Sequence, residues 1–238
     1  MFLDNIFETE KITESFGHLL DLQQKYLKDK ELMRYMTAAN PTDELPGPLN
    51  IEFHPRPKRS YKWMHKKADL QAIKIIKKDA EQLVGFAEKS TEILAELNHE
   101  KLRLTAEQEK LFAELVDAIQ ITVLRAMHKT VTLGSLLSKR ENKITKNTTF
   151  NPASFLGEAE ALRKKAQQIV YKREQQYRYS VDLIARKRWG HTAYRFGYLY
   201  PVSNLHFWQR EEQQALKGRF GPLFMNIWNM PRIIGIVN

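Results

Sequence analysis

Residues 106–140 read AEQEKLFAELVDAIQITVLRAMHKTVTLGSLLSKR, the longest strongly apolar run in the chain. Leu111, Phe112, Leu115, Val116, Ala118, Ile119, Ile121, Val123, Leu124, Ala126, Met127, Val131, Leu133, Leu136 and Leu137 cover more than one face of a helix. A surface helix carries one apolar stripe, whereas a helix apolar on most sides is surrounded by others. Thr105 followed three residues later by Gln108 forms a capping box, in which hydroxyl and amide satisfy free N–H groups of the first turn. The run is therefore expected to be the central helix of a bundle.

The segment before it carries the clearest periodicity. Ile73, Ile76, Ala80, Leu83, Ala87, Ser90, Leu94 and Leu97 alternate three- and four-residue steps, a coiled-coil-like seam within a helix over 68–97. The short connection from Asn98 to Leu104 makes this helix an antiparallel neighbour of the central one. A further amphipathic helix is expected over 9–36, with Ile12, Phe16, Leu19, Leu20, Tyr26, Leu27, Met33 and Met36 at helical spacing. Three prolines and a glycine within residues 40–48 then exclude helix.

After the central helix, the polar stretch 141–153 reads as a loop. A long helix is expected over 154–188, with Leu162, Ala166, Ile169, Val170, Tyr177, Val181 and Ile184 inward. Its opposite face reads as a basic surface: Arg163, Lys164, Lys165, Lys172, Arg173, Arg178, Arg186, Lys187 and Arg188. Beyond Gly190 the chain changes character. Tyr194, Phe196, Tyr198 and Tyr200 alternate with Arg195, Gly197 and Leu199, a period of two that indicates extended chain. A short helix from Asn204 to Leu216 follows, with the adjacent Glu211 and Glu212 read as a solvated face. The final stretch, 222–238, is apolar and punctuated by prolines.

Composition narrows the chemistry. The 238 residues contain no Cys, which removes disulfides, thiolate metal sites and Cys nucleophiles. No signal peptide and no spanning helix are expected, which fits the cytoplasm or the interior of a macromolecular particle. The net charge of +10 is unevenly spread. Residues 1–50 carry 5 Lys and Arg against 9 Asp and Glu, whereas residues 151–238 carry 14 against 6. An acidic head and a basic tail suit contacts between chains or an anionic partner.

Recognisable catalytic signatures are sparse. Glu96 and His99 make a single E-x-x-H, a half-motif that di-metal helical bundles use twice, and His99 reads as a helix C-terminal cap. Arg186 and His191 have an R-x4-H spacing compatible with acid–base work on a phosphodiester, although Gly190 interrupts any helix there. The phosphate-cradling glycine loops and the usual hydrolase motifs do not occur.

The sequence therefore predicts an all-α fold: a bundle of about four long helices with an aromatic, partly extended C-terminal arm. Residues 1–50 form an N-terminal helix and proline-rich linker, 51–188 the bundle core, and 189–238 the arm. The expected role is that of a non-enzymatic structural or adaptor subunit of a larger protein assembly, without a cofactor. Its anchors toward other subunits or a second copy are Phe224, Ile227, Trp228, Ile233, Ile234, Tyr198 and Tyr200, because large apolar side chains left in water are costly and rings are enriched at interfaces. The competing reading is nucleic-acid binding through Arg56, Lys58, Arg59, Lys62, Trp63, Lys66, Arg186, Lys187 and Arg188, where cations interleave with rings. A helical metal-dependent or phosphodiester-cleaving enzyme is the third.

Overall fold

The computed structural model describes residues 4–7, 10–30, 32, 70–100, 104–145, 151–174 and 205–216. All the elements among them are helical: α1 (Asp4–Phe7), α2 (Glu10–Leu22) running into a π-helical turn (Gln23–Lys28), α3 (Leu70–Glu100), α4 (Ala106–Thr145), α5 (Pro152–Glu174) and α6 (His206–Leu216). The all-α expectation holds for these residues. None of the described helices is long and apolar enough to cross a membrane.

Helix α4 is the hub. It starts at the expected capping box, with the Thr105 N–H donating to Gln108 Oε1 at 2.9 Å and the Gln108 N–H to Thr105 Oγ1 at 3.4 Å. The same Gln108 side chain donates to the Ile6 carbonyl at 2.6 Å, which ties α1 to the first turn of α4. Beside it, the rings of Phe7, Phe16 and Phe112 pack with centroids 6.1–6.3 Å apart, joining α1, α2 and α4 in one aromatic knot.

Helix α3 lies along one flank of α4 and makes the most extensive helix–helix contact described. Its seam is buried as the spacing requires: Ile73, Ile76, Leu83, Ala87, Ser90, Leu94 and Leu97 all face the core, and Ala80 packs partly buried against it. Helix α2 covers α3, and Gly85 is what allows the π turn to approach. A Cβ at that position would lie 2.9 Å from the Tyr26 ring.

Helix α5 lies on the other flank of α4 and begins with an Asn cap. Asn151 Oδ1 accepts the Ala153 N–H at 3.0 Å and the Ser154 N–H at 3.4 Å, while Pro152 occupies the first helical position, where no N–H is needed. Phe155, Ala159, Leu162, Ala166 and Val170 form its buried stripe.

Several expectations need correction. Residues 141–145, expected in a loop over 141–153, are helical instead, since α4 continues to Thr145. Residues 141–145 are polar except Ile144, but they contain no Gly or Pro, and polarity alone does not stop a helix. The single regular helix expected over 9–36 is an α-helix that loosens into a π turn ending at Lys28, with the Asp29 N–H bonded to the Gln24 carbonyl at 2.9 Å. Helix α5 starts two residues earlier than expected, and its continuation beyond Glu174 lies outside the described residues, as do the proline-rich stretch 40–48 and the alternating aromatics 194–200. Finally, α4 is not covered all round. Met127 is 43% exposed, which marks an open sector on one side of the hub.

Candidate functional site

On the sector of α4 that faces α6, four polar residues recur at helical spacing: Arg125, His128, Lys129 and Thr132. Positions i, i+3, i+4 and i+7 share one face. All four are buried, Lys129 completely (0% exposed). Helix α6 answers with the same spacing, Trp208, Glu211, Glu212 and Ala215, and lies in the trough between α4 and α5.

The two carboxylates serve different partners. Glu211 takes a bidentate pair from Arg125, at 2.7 and 2.8 Å, and a third bond from Lys129 Nζ at 2.9 Å. Glu212 Oε1 accepts from Arg163 Nε on α5 at 2.8 Å and meets His128 Nε2 at 3.0 Å. Trp208 roofs the cluster, with the Arg125 guanidinium 5.3 Å from its ring centroid and the His128 ring 4.9 Å away. At the far end of α6, Lys139 Nζ donates to the Ala215 carbonyl at 2.9 Å and also to that of Leu216. A cation there satisfies carbonyls left free by the helix end and offsets its dipole.

Protonation follows from these contacts. Burial pulls the His128 imidazole below its ordinary 6.5, against the hydrogen bond to Glu212, and the Arg125 charge adds to the lowering. Neutral His128 fits the neighbours: Nε2–H faces the Glu212 carboxylate, leaving Nδ1 to accept from Arg125 Nη1 at 3.3 Å. For Glu211, burial would raise the pKa, but the charges of Arg125 and Lys129 and the Arg125 hydrogen bond outweigh it and hold the carboxyl far below the usual carboxylate range. Glu211 is thus favoured as the anion between two buried cations.

A second buried pair, Asp117 on α4 with Arg173 on α5 at 2.5 Å, fastens the other end of the α4–α5 contact. Removing one member of a buried pair typically costs about 3–5 kcal/mol, and here Lys172 Nζ, 4.0 Å from Asp117, shares the carboxylate. The geometry is that of a clamp, in which carboxylates and cations from three helices neutralise one another.

Two readings of these residues are overturned. Glu211 and Glu212 are not a solvated face, since Glu212 is 4% exposed and both bond to the bundle. Neighbours on a helix lie about 100° apart, and a helix seated in a trough can offer both positions to protein. Arg163 and Arg173 are likewise removed from the basic surface of α5 by their buried ion pairs, whereas Lys164, Lys165 and Lys172 remain exposed. The sequence does hold a signal for the cluster: matching sets at i, i+3, i+4 and i+7 on α4 and α6, of opposite charge.

Glu96 and His99 are both exposed on α3, with His99 in its last turn. Among the described residues no group of three or more His, Cys, Asp and Glu side chains is placed to hold a metal ion. The remaining sequence candidates lie outside the described residues: Arg56, Lys58, Arg59, Lys62, Trp63 and Lys66; Arg186, Lys187, Arg188 and His191; Tyr198 and Tyr200; and Phe224, Ile227, Trp228, Ile233 and Ile234. Set against known protein families, curated proteins and solved structures, the chain matches none.

Proposed function

We propose that this chain is a non-enzymatic structural or adaptor subunit of a larger protein assembly, docking through its apolar C-terminal arm. The observation that carries the reading is the clamp on α6. Glu211 is held by Arg125 and Lys129, Glu212 by His128 and Arg163, and the last carbonyls of the helix by Lys139. Helix α6 is the root from which residues 217–238 continue. A root held by charged side chains of two neighbouring helices is pre-positioned, and pre-positioning lowers the cost of docking. Phe224, Ile227, Trp228, Ile233 and Ile234 are the anchors in that segment.

Deleting residues 222–238 tests the proposal. The shortened chain is expected to keep its helicity and melting temperature while losing its partners, or its self-association, in sizing with mass determination and in purification from the native source. Unchanged assembly would refute an anchoring arm, and a collapse in stability would make the segment part of the chain's own core.

The nucleic-acid reading retains one specific observation, the exposed Lys164, Lys165 and Lys172 on α5, of which Lys164 is paired with Glu160 at 2.9 Å. It predicts affinity that falls steeply as salt rises. Retention at high salt would remove it.

A further inference from the structure

The clamp occupies one side of α4; the opposite side carries a different surface. At 3.6 residues per turn, Met127, Thr130 and Val131 lie across the helix axis from Arg125, Lys129 and Thr132. There the trough between α3 and α5 is open, forming a groove of about 510 Å³ floored by Ala87, Met127, Val131 and Leu162. Val84, at its edge, is also exposed (37%).

The polar groups in this trough are already spoken for. Thr91 Oγ1 donates to the Ala87 carbonyl at 2.7 Å, and Thr130 Oγ1 to the Ala126 carbonyl at 3.0 Å. Each hydroxyl is satisfied by its own helix, four residues back. The floor therefore offers hydrocarbon rather than unmet hydrogen bonds, and Ala87 leaves room for a close approach.

Its rim is charged in one sense only. Glu88 and Glu92 on α3 and Glu158 on α5 line the groove, and among the described residues no Lys or Arg does. This local sign is opposite to that of the chain, whose net charge is +10. A second copy laid symmetrically on the groove would set these carboxylates against their own counterparts, an unfavourable pairing. An apolar floor between acidic edges suits instead a helix with one apolar stripe and cations on its flanks. We propose that this groove docks an amphipathic, Lys/Arg-flanked helix of a partner protein. Val84 to Glu92 spans about 12 Å of α3 at 1.5 Å per residue, a length matched by roughly two turns of the incoming helix. The described lining of the groove includes no residue of 222–238, so deleting that segment tests the two proposals separately.

The test uses the full chain and a fluorescein-labelled synthetic peptide of about 18 Leu and Lys residues in an amphipathic helical pattern, long enough to hold a helix on binding. A chain of charge +10 repels this peptide overall, so binding requires a local acidic site. Saturable binding is expected, weakened at least about tenfold by the combined E88K, E92K and E158K changes; a peptide with Glu in place of Lys should not occupy the groove, whatever it binds elsewhere on a basic chain. These three positions are at the groove rim, and circular dichroism checks that the variant stays helical. Because the chain has no cysteine, Met127→Cys supplies a single thiol. It should react readily with a maleimide, the Lys peptide should slow that reaction, and peptide binding should persist after deletion of residues 222–238. The proposal fails if charge reversal leaves binding unchanged, or if the Glu peptide protects the thiol at position 127 as well as the Lys peptide does. It also fails if the thiol at position 127 is inert in the free chain because the chain itself fills the groove. Protection of that thiol on dimerisation would fail it as well, by assigning the groove to a second copy.

Discussion

Replacing Glu211 by Ala strips the shared counterion from Arg125, which is 3% exposed, and from Lys129, which is fully buried. Breaking a buried pair from one side costs about 3–5 kcal/mol, because the remaining charge keeps its desolvation penalty with less to offset it. Against a total stability of about 5–15 kcal/mol for a folded domain, that is a large fraction. For a chain of this size each kcal/mol lowers the melting temperature by about 2–4 °C, so the expected drop is roughly 6–20 °C. The assay is urea unfolding followed by far-UV circular dichroism, with the melting temperature as a second readout. Adding Arg125→Met and Lys129→Met to Glu211→Ala should recover much of the loss, since no charge is then left uncompensated. A deficit below about 1 kcal/mol, the scale of an exposed ion pair, would refute the reasoning. So would a triple variant no more stable than the single one.

Two further outcomes follow from local geometry. The folded chain keeps His128 neutral in a range where the unfolded chain binds a proton, so stability falls as pH drops below the ordinary value of 6.5. His128→Gln should flatten that part of the curve in urea titrations run at successive pH values. The further loss below 4.5, where Glu211 becomes protonated in the unfolded chain first, should remain. Gly134→Ala should stabilise by about 0.5–1 kcal/mol, the usual gain for a helix interior, because an added Cβ meets nothing within 4 Å. Gly85→Ala should lose that gain, since its Cβ would press on the Tyr26 ring at 2.9 Å; equal urea midpoints for the two variants would contradict the close packing of the π turn.

The elements whose signals are local were legible in the sequence. Thr105 and Gln108 mark the start of α4 by their types and spacing alone, and the α3 seam from Ile73 to Leu97 states its own buried face. The clamp was not legible by the same means. An amphipathic reading assigns charge to the outside, which is sound for a helix lying on a flat surface. Helix α6 sits in a trough, where Glu211 looks toward α4 while Glu212 reaches both α4 and α5, and only the tertiary arrangement supplies Arg163 from 49 residues away. The open sector at Met127 is hidden for a related reason. An apolar residue in an apolar run carries no mark of whether a neighbour covers it.

The account depends most on α6 being locked to the bundle through buried charges. Native-state hydrogen exchange, read residue by residue, measures this directly. The backbone amides in the later turns of α6 should open only with a free energy close to that of α4 around Val123 to Leu133, since releasing α6 exposes Arg125, Lys129 and Glu212 together. Exchange of α6 through a low-energy local opening, while α4 stays protected, would contradict the clamp and with it the fixed root proposed for the C-terminal arm.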